Sequence, residues 1–328
     1  MMRLSTMWKV VATVGDGGAC PLAAEILKPW GCAVGTLRFY RASANFICEF
    51  MKEGRRHFLR FSDAGERPLE AILAEVKLVA WLGRQGIKVA APVPSGQGRL
   101  VETVETALGR FHGVVFLGLE GSQLETAECQ ETHFRAWGAA LGRLHAAMKA
   151  YQDPSAASRP SWRDHLAEAR PYVDGEPALL AEWHRLESWA SALPSGPDDF
   201  GLIHFDFESD NLCWQDGAIG ILDFDDSAHY WYAADIAYAL RDLFKEGAGL
   251  SSPQVQSFLA GYEGEHPLNR TLSAQLPQFL RLHGMYTYAR LSRALDLPAD
   301  REPPAWLKRV ETKLRHVREA YRMSVSTP

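Results

Sequence analysis

The 328-residue chain contains 47% hydrophobic and 23% charged residues, a composition typical of a globular protein that is long enough to form two lobes. A net charge of −5 and a pI near 6.1 argue against nucleic acid as a partner. Five scattered cysteines without a C-x-x-C pair argue against a disulfide framework and a zinc site, and they fit a reducing cytosol. Because no apolar run approaches the roughly 18 residues that span a bilayer, and the start is too weakly apolar for a secretory signal, we expect a cytoplasmic protein with no membrane partner.

The first third of the chain changes from helical to strand character near residue 35. Pro21–Leu27 predicts a helix, which we interpret as part of a lid or cap on a small lobe. Strand-like composition then predicts strands at 35–41, 46–50, 57–61, 100–104 and 110–117. Apolar residues at helical spacing predict one amphipathic helix at 69–85. Two prolines confine 86–94 to a sheet edge or a loop.

Gly118-Leu119-Glu120-Gly121 interrupts the strand pattern and is our predicted hinge. Beyond this point the pattern becomes helical. Helices are predicted at 132–151, 162–172, 178–193, 235–244, 252–261, 272–295 and 305–322. A sheet-rich first part and a helix-rich second part therefore meet near residue 118.

The segment 202–226 carries the most informative side chains. Two apolar runs, 201–203 and 218–222, each end in a polar cluster, and the turn signal at 215–217 predicts a hairpin-like scaffold. The first cluster is His204-x-Asp206-x-x-x-x-Asn211, and Asp223 follows the second run. Metal-dependent phosphoryl transfer uses this arrangement, in which one Asp orients the nucleophile and an Asn with a second Asp holds Mg²⁺. A solvated acidic loop that serves only turns is the alternative, but the spacing to Asp223 favours a kinase-like site.

This segment resembles the catalytic and metal-binding loops of the aminoglycoside phosphotransferase and choline kinase superfamily, nearest to its homoserine-kinase-like and stress-response Ser/Thr kinase branch. The family pattern is His-Gly-Asp-x-His-x-x-Asn followed by Ile-Asp-Phe/Trp, and here Phe205 replaces the Gly and Glu208 replaces the second His. The resemblance implies an α+β, two-lobed protein-kinase-like fold. Its small N-terminal lobe, 1–118, would bind nucleotide through an antiparallel sheet plus one helix. Its larger, mostly helical lobe, 119–328, would carry catalysis and substrate binding.

The resemblance also implies roles at matching positions of the second lobe. Asp206 is expected to be the catalytic base, with His204 beside it as a structural support. Asn211 and Asp223 are expected to be Mg²⁺ ligands. Asp235 is expected to tie the catalytic loop to the C-terminal lobe, with a simple helix N-cap as the alternative. We expect His145, in the motif Leu-x-x-Leu-His, to pack or to hydrogen-bond to the catalytic loop rather than to perform chemistry.

In the first lobe the resemblance implies an ATP site. Ser43 and Asn45 lie in a small-residue loop that would replace the glycine-rich phosphate flap, although an ordinary hairpin loop is the alternative. Arg60 occupies the position of the phosphate-binding Lys, and Glu75 on the predicted helix would pair with it; a surface salt bridge is the alternative. The backbone of Gly118 and Leu119 would hydrogen-bond adenine.

The predicted acceptor side consists of acids and aromatic residues, namely Glu208, Asp225, Asp226, Tyr230 and Trp231. Aromatic faces with carboxylates would hold an amine, whereas the alternative for the aromatic cluster is a loop packed under a helix. We expect an ATP- and Mg²⁺-dependent phosphotransferase that moves the γ-phosphoryl group to a hydroxyl of a small molecule such as an aminoglycoside, an amino alcohol or a homoserine-like compound. A protein Ser/Thr kinase of the stress-response type and a non-catalytic nucleotide-binding regulator are the alternatives. The oligomeric state is left open.

Overall fold

The computed structural model describes residues 1–32, 34–300 and 302–326. The chain divides into two compact units. Unit 1 comprises Met1–Val76, Ala91–Gly118 and Thr287–Met323, and unit 2 consists mainly of Lys77–Ala90 and Leu119–Tyr286. An antiparallel sheet dominates unit 1 and helices dominate unit 2, so the predicted α+β class is confirmed.

The secondary structure follows the predicted order with a few differences. The strands are β1 (Arg38–Ala42), β2 (Phe46–Lys52), β3 (Arg55–Asp63), β4 (Pro92–Val93), β5 (Glu102–Thr106), β6 (Gly109–Leu117), β7 (Phe200–Ile203), β8 (Leu212–Gln215), β9 (Ala218–Ile221) and β10 (Ala228–Trp231). The helices are α1 (Leu4–Val11), α2 (Pro21–Leu27), α3 (Leu69–Arg84), α4 (Glu131–Lys149), α5 (Trp162–Val173), α6 (Pro177–Ala192), α7 (Tyr232–Ala239), α8 (Arg241–Lys245), α9 (Pro253–Glu263), α10 (Arg270–Ser273), α11 (Leu276–Ala294) and α12 (Ala305–Ser326). The helix predicted at 235–244 is two helices, α7 and α8, and α1 was not predicted.

The sheet of unit 1 has six antiparallel strands in the order β1-β2-β3-β6-β4, with β5 also paired to β6. Glu53 and Gly54 join β2 to β3 with φ values of 52° and 73°, the positive values that a two-residue hairpin turn requires. The short strand β4 contains Pro92 and lies at the end of this strand order, as its prolines predicted. This register places Arg60 in the interior strand β3, opposite Ile47 and Val114.

The two N-terminal helices belong to the core of unit 1. Leu4, Met7 and Val10 recur at helical spacing on α1 and are buried. A Cβ on Gly113 of β6 would lie 2.6 Å from Ile26 Cγ2, so α2 packs directly on the sheet. The predicted lid or cap is therefore part of the hydrophobic core, and unit 1 contains more helices than the single one expected.

The structure contains no single helix, among the residues it describes, that is long and apolar enough to cross a membrane. Helix α1 and the segment Asp16–Trp30 reach that length and apolar composition only when taken together, and the two are bent by 88° relative to each other. Apolar side chains of both segments lie in the hydrophobic cluster of unit 1.

Helices α4 and α9 approach closely in unit 2. A Cβ on Gly138 would lie 1.9 Å from the Phe258 carbonyl oxygen, and one on Gly261 would lie 1.9 Å from the Arg135 carbonyl oxygen. Only glycine permits such backbone contact at both crossing points. The crossing fixes the position of α4, and thereby of His145 near its C-terminal end.

The strands of unit 2 form two separate pairs. β7 pairs with β10, and β8 pairs with β9 through a turn at Asp216 and Gly217, whose φ values are 50° and 80°. The prediction that the runs 201–203 and 218–222 form one hairpin-like scaffold is therefore wrong. The turn at 215–217 closes a hairpin with the nearer run 212–215, because a two-residue turn joins strands that are adjacent in sequence.

The segment after β6 is tied to β8 by a contact that requires glycine. Ser122 and Trp214 exchange two backbone hydrogen bonds, of 3.0 and 2.8 Å. Gly121 has φ 117°, and a Cβ there would lie 2.4 Å from the Trp214 carbonyl oxygen. Any residue other than glycine at position 121 would therefore adopt an unfavourable backbone conformation and would also clash with the Trp214 carbonyl.

We expect Gly121→Ala to destabilise the protein by more than the ~1–3 kcal/mol of a strained backbone conformation alone, because the Cβ also displaces the Trp214 carbonyl. Gly217→Ala is the matched control: its φ is 80°, but a Cβ there has nothing within 4 Å. That variant should lose only about 1–2 kcal/mol, the cost of the left-handed conformation. Urea unfolding of both variants measures the difference, and equal losses would contradict the close contact at 121.

Candidate active site

The candidate catalytic loop (204–211) follows β7. The Asn211 side-chain amide donates to the Asp206 carbonyl oxygen at 2.8 Å and to Asp206 Oδ2 at 3.0 Å. Asn211 also donates its backbone N–H to the Glu208 carbonyl at 2.9 Å, which closes a short 3-10 turn. The five-residue spacing thus brings the predicted base and one predicted metal ligand into direct contact.

Asp235 holds the beginning of this loop from helix α7. Its Oδ2 accepts the backbone N–H of His204 at 2.8 Å, and its Oδ1 accepts that of Phe205 at 2.9 Å. His145 Nε2 donates to the same carboxylate at 2.9 Å, and all these groups are buried. The N-cap of α7 is Trp231, so the alternative reading of Asp235 as a simple N-cap is wrong. The contacts are those expected of a support residue.

Phe205 adopts a left-handed backbone conformation with φ 75°, which is rare for a bulky residue. The family pattern has glycine at this position. The Phe205 ring is fully buried against Tyr230, Tyr238 and Tyr286, and Asp235 accepts its backbone N–H. Burial of the ring and the hydrogen bond stabilise a conformation that would otherwise cost of order 1–3 kcal/mol.

His204 is a buried brace. Its Nε2 donates to the Leu222 carbonyl at 2.9 Å, and its Nδ1 accepts the Asp206 backbone N–H at 3.3 Å. Burial lowers the pKa of His204 below its ordinary value, so its ring is neutral near neutral pH. A neutral ring with these two partners links the loop to the strand end that precedes Asp223.

Asp223, the second predicted metal ligand, follows β9 by one residue and has φ 58°. The preceding Leu222 donates its backbone N–H to the Asn211 carbonyl at 2.9 Å. Leu222 also accepts the hydrogen bond from His204 described above. The backbone beside Asp223 is therefore tied to both ends of the candidate catalytic loop.

Arg159 clamps the turn after Asp223. Its Nε donates to the Ser227 carbonyl at 2.7 Å, and its Nη2 donates to the carbonyls of Phe224 at 3.1 Å and Asp225 at 2.5 Å. The side chain is buried. The sequence interpretation missed this residue, because it lies in a Pro/Ser loop and matches no motif.

Arg241, the first residue of α8, contacts two acids of the loop. Its Nη1 donates to Asp206 Oδ1 at 3.0 Å, and its Nη2 donates to Glu208 Oε2. Burial and the charge of Asp206 raise the pKa of Glu208 to about 7, although Arg241 acts in the opposite direction. The other predicted acceptor acids are Asp225, which is buried, and Asp226, which is half-buried. Arg241 was also missed from sequence, since no local pattern links it to the acids more than 30 residues before it.

Tyr230 and Trp231, predicted as a possible substrate wall, are each only 1% exposed. The Tyr230 hydroxyl shares a hydrogen bond of 2.8 Å with His165 Nδ1, and Trp231 Nε1 donates to the Pro194 carbonyl at 2.7 Å. This geometry favours the packing alternative that the sequence left open.

In unit 1, Arg60 and Glu75 form a buried, two-bonded ion pair. Nη1 donates to Oε1 at 2.7 Å and Nη2 donates to Oε2 at 2.6 Å. The Arg60 guanidinium also lies 5.0 Å from the centre of the Phe116 ring. The alternative of a surface salt bridge is wrong. The phosphate-binding role of the pair stays a prediction.

We expect Arg60→Met to destabilise the protein by about 3–5 kcal/mol, because it leaves the buried Glu75 carboxylate without its cation. The pair Arg110–Glu105 on the same sheet is a matched control, since its side chains are 61% and 67% exposed. Arg110→Met should change stability by no more than about 1 kcal/mol. Denaturant unfolding of both variants provides the test, and a small loss in Arg60→Met would be at odds with a buried pair.

The two predicted phosphate-loop residues differ in exposure. Ser43 is exposed, and its backbone N–H donates to the Asn45 carbonyl at 3.1 Å. Asn45 is buried, and its Oδ1 accepts from the Ser62 hydroxyl at 2.6 Å. Asn45 therefore stabilises the loop from inside the sheet, and phosphate contact by this loop stays a prediction.

The predicted adenine-contact residues each pack within their own unit. Gly118 donates its N–H to the Arg56 carbonyl at 2.9 Å, and a Cβ on Gly118 would lie 2.9 Å from the same oxygen. Leu119 packs over Gly220, where a Cβ would lie 2.7 Å from Leu119 Cδ1. Adenine binding by these residues stays a prediction.

Comparison with known proteins identifies the family. The model of the phosphotransferase enzyme family abbreviated APH matches residues 41–272. Amicoumacin kinase from Bacillus subtilis (strain 168) is 27% identical over 285 residues, which cover 84% of this chain and 85% of that protein. Homoserine kinase from Nitrobacter hamburgensis is 29% identical over 233 residues, 68% of each chain.

Solved structures agree with this assignment. An amicoumacin kinase in complex with AMP-PNP, Ca²⁺ and Ami superposes with a TM-score of 0.76 at 26% identity, covering 94% of this chain and 95% of that chain. A microcompartment-associated aminopropanol kinase, at 23% identity, shares the fold with a TM-score of 0.70 and covers 94% of this chain and 98% of its own. The chain belongs to the APH phosphotransferase family, has its protein-kinase-like fold, and is a phosphotransferase whose acceptor group is a hydroxyl.

Proposed function

We propose that this protein transfers the γ-phosphoryl group of ATP, with Mg²⁺, to a hydroxyl of an amine-bearing small molecule such as an amino alcohol, a homoserine-like compound or an aminoglycoside. The observation that carries the proposal is the contact of the Asn211 amide with the Asp206 carboxylate, beside the backbone that leads to Asp223. Asp206, Asn211 and Asp223 are the kinds of residue that phosphoryl transfer uses as catalytic base and metal ligands. In the reaction the acceptor oxygen bonds to the γ-phosphorus, the bond to the β,γ-bridging oxygen breaks, and Asp206 takes the hydroxyl proton.

The residues fit a hard divalent cation. Asn211 turns its amide nitrogen to Asp206, which directs the amide oxygen away from that carboxylate, and Asp223 supplies a carboxylate. In the described part of the chain no group of three or more His, Cys, Asp or Glu side chains is arranged to hold a metal by itself. Mg²⁺ commonly takes one or two protein ligands plus substrate phosphates, and when bound it offsets phosphate charge. We assign nucleotide phosphate binding to Ser43, Arg60 and the backbone of their loop and strand, and adenine binding to Gly118 and Leu119.

Glu208 supports an amine-bearing acceptor. Its side chain is 22% exposed, and one oxygen accepts from Arg241. Asp206, Glu208 and Arg241 together carry one net negative charge when both acids are ionised, a state that Glu208 reaches above its pKa of about 7, and this charge favours a cationic substrate. Two of the relatives named above are kinases of aminopropanol and homoserine, molecules that carry an amine and a hydroxyl, and this supports the same class here.

The test is Mg²⁺-dependent ADP formation by the purified protein with aminopropanol, homoserine, amicoumacin or an aminoglycoside as acceptor, and with 1-propanol as the matched alcohol that lacks an amine. We expect turnover stimulated by at least one amine-bearing acceptor, little with propanol, and none when Mg²⁺ is removed. Phosphorylation of a protein substrate instead would support the Ser/Thr kinase alternative. Nucleotide binding without any acceptor-dependent turnover would contradict the proposal and support the regulator alternative.

A further inference from the structure

Arg241 joins two acids of the candidate catalytic loop by side-chain hydrogen bonds. One nitrogen of its guanidinium donates to Asp206 and the other donates to Glu208. Its side chain is 13% exposed, compared with 30% for Asp206 and 22% for Glu208. The cation is therefore less accessible to solvent than either of the acids that it contacts.

The contact completes the restraint on the Asp206 carboxylate. Oδ2 accepts from the Asn211 amide at 3.0 Å, and Oδ1 accepts from Arg241 Nη1 at 3.0 Å. With both oxygens hydrogen-bonded, the plane of the carboxylate is fixed. With only the Asn211 bond, the carboxylate can rotate about the Cβ–Cγ bond, which moves Oδ1 away from its present position. A displacement of about 1 Å in a reacting group can cost 10²-fold in rate.

The arrangement requires the planar fork of arginine. A guanidinium offers donors on two nitrogens held in one plane, so it can reach Asp206 and Glu208 together, whereas a lysine ammonium acts as a point charge. Glu208 stands where the family pattern has a histidine. A carboxylate at this position accepts the second nitrogen of Arg241, and this second hydrogen bond fixes the direction of the first.

We propose that Arg241 is a positioning residue for phosphoryl transfer, which holds the Asp206 carboxylate in one orientation, with Glu208 as the second anchor of its guanidinium. The inference rests on the proposed function for its kinetic consequences. It predicts that removal of Arg241 affects the chemical step rather than nucleotide binding, because the residues assigned to nucleotide phosphate lie elsewhere in the chain.

The kinetic test compares Arg241→Ala and Arg241→Lys with the wild type. We expect Arg241→Ala to lower kcat about 10²-fold with little change in the KM for ATP. Arg241→Lys should retain intermediate activity, since it keeps the charge but not the fork. Added guanidinium ion should partly restore kcat in Arg241→Ala. Arg143→Ala is the matched control: Arg143 also pairs with a glutamate, Glu265, but is 50% exposed, and its removal should leave kcat unchanged.

Crystal structures of the wild type and the Arg241 variants give a readout that does not depend on turnover. We expect the Asp206 carboxylate of the variants to turn its Oδ1 away from the wild-type position, because only the Asn211 bond to Oδ2 remains. A wild-type orientation, or a wild-type kcat in folded Arg241→Ala, would overturn the inference. If the wild type shows no acceptor-dependent turnover, the proposed function fails, while the orientation of Asp206 still decides the inference. If Arg241→Ala does not fold, Arg241→Lys decides it by the same two measurements.

Discussion

Replacing Asp206 by Asn lowers kcat by about 10²–10⁴-fold, the usual contribution of a positioned general base, if Asp206 accepts the proton of the acceptor hydroxyl. The substitution preserves volume, and an amide oxygen can still accept from Arg241 or from Asn211. An amide cannot take the proton, however. We therefore expect the KM for ATP and the thermal midpoint to stay near the wild-type values while turnover is lost.

Steady-state kinetics and thermal unfolding of the same preparations separate the two effects. Asp198→Asn is the matched control, because Asp198 is 77% exposed and pairs with the surface residue Lys149. This control should retain wild-type kcat. A kcat near the wild-type value in Asp206→Asn would exclude Asp206 as the base, and loss of folding would require Asp206→Glu as a second variant.

A large loss of stability is expected for Asp235→Ala. Its carboxylate is buried and accepts three hydrogen bonds, from the backbone N–H groups of His204 and Phe205 and from His145 Nε2. Each buried donor left unpaired costs about 1–3 kcal/mol, so the three together should destabilise the protein by at least about 3 kcal/mol. The loss also releases Phe205 from its left-handed conformation, and we expect activity to fall in the fraction that remains folded.

Urea unfolding at one temperature, with kcat measured under native conditions, tests this result. Asp174→Ala is the control, because Asp174 is 56% exposed and pairs with Arg170 on the surface of α5. Its unfolding should occur at the wild-type urea concentration. Wild-type stability of Asp235→Ala would show that these hydrogen bonds do not hold the loop.

Local patterns predicted the elements that depend on neighbouring residues. The spacing of Asp206 and Asn211 within one turn, and the position of Asp223 directly after an apolar run, are properties of short segments, and the structure brings these segments together as expected. The amphipathic helix 69–85 was likewise readable from its own periodicity. The buried pairing of Arg60 with Glu75 required the family resemblance, because the two residues lie on different elements.

What the sequence did not reveal depends on contacts between distant residues. β7 pairs with β10 rather than with the 218–222 run, because pairing of strands beyond a hairpin depends on tertiary packing rather than on local composition. Arg159 and Arg241 are ordinary in their own segments, and their hydrogen bonds reach residues more than 30 positions away. Side-chain cations that bind backbone carbonyls or acids distant in sequence leave no periodic signal in a sequence.

Detection of the phosphorylated product tests the central claim most directly. ³¹P NMR of a reaction that contains ATP, Mg²⁺ and an amine-bearing alcohol distinguishes a phosphate monoester of the acceptor from free phosphate. We predict a monoester signal that grows with the wild type and is absent with Asp206→Ala. Release of free phosphate alone, or an equal monoester signal from Asp206→Ala, would contradict the assignment of this protein as a small-molecule kinase that uses Asp206.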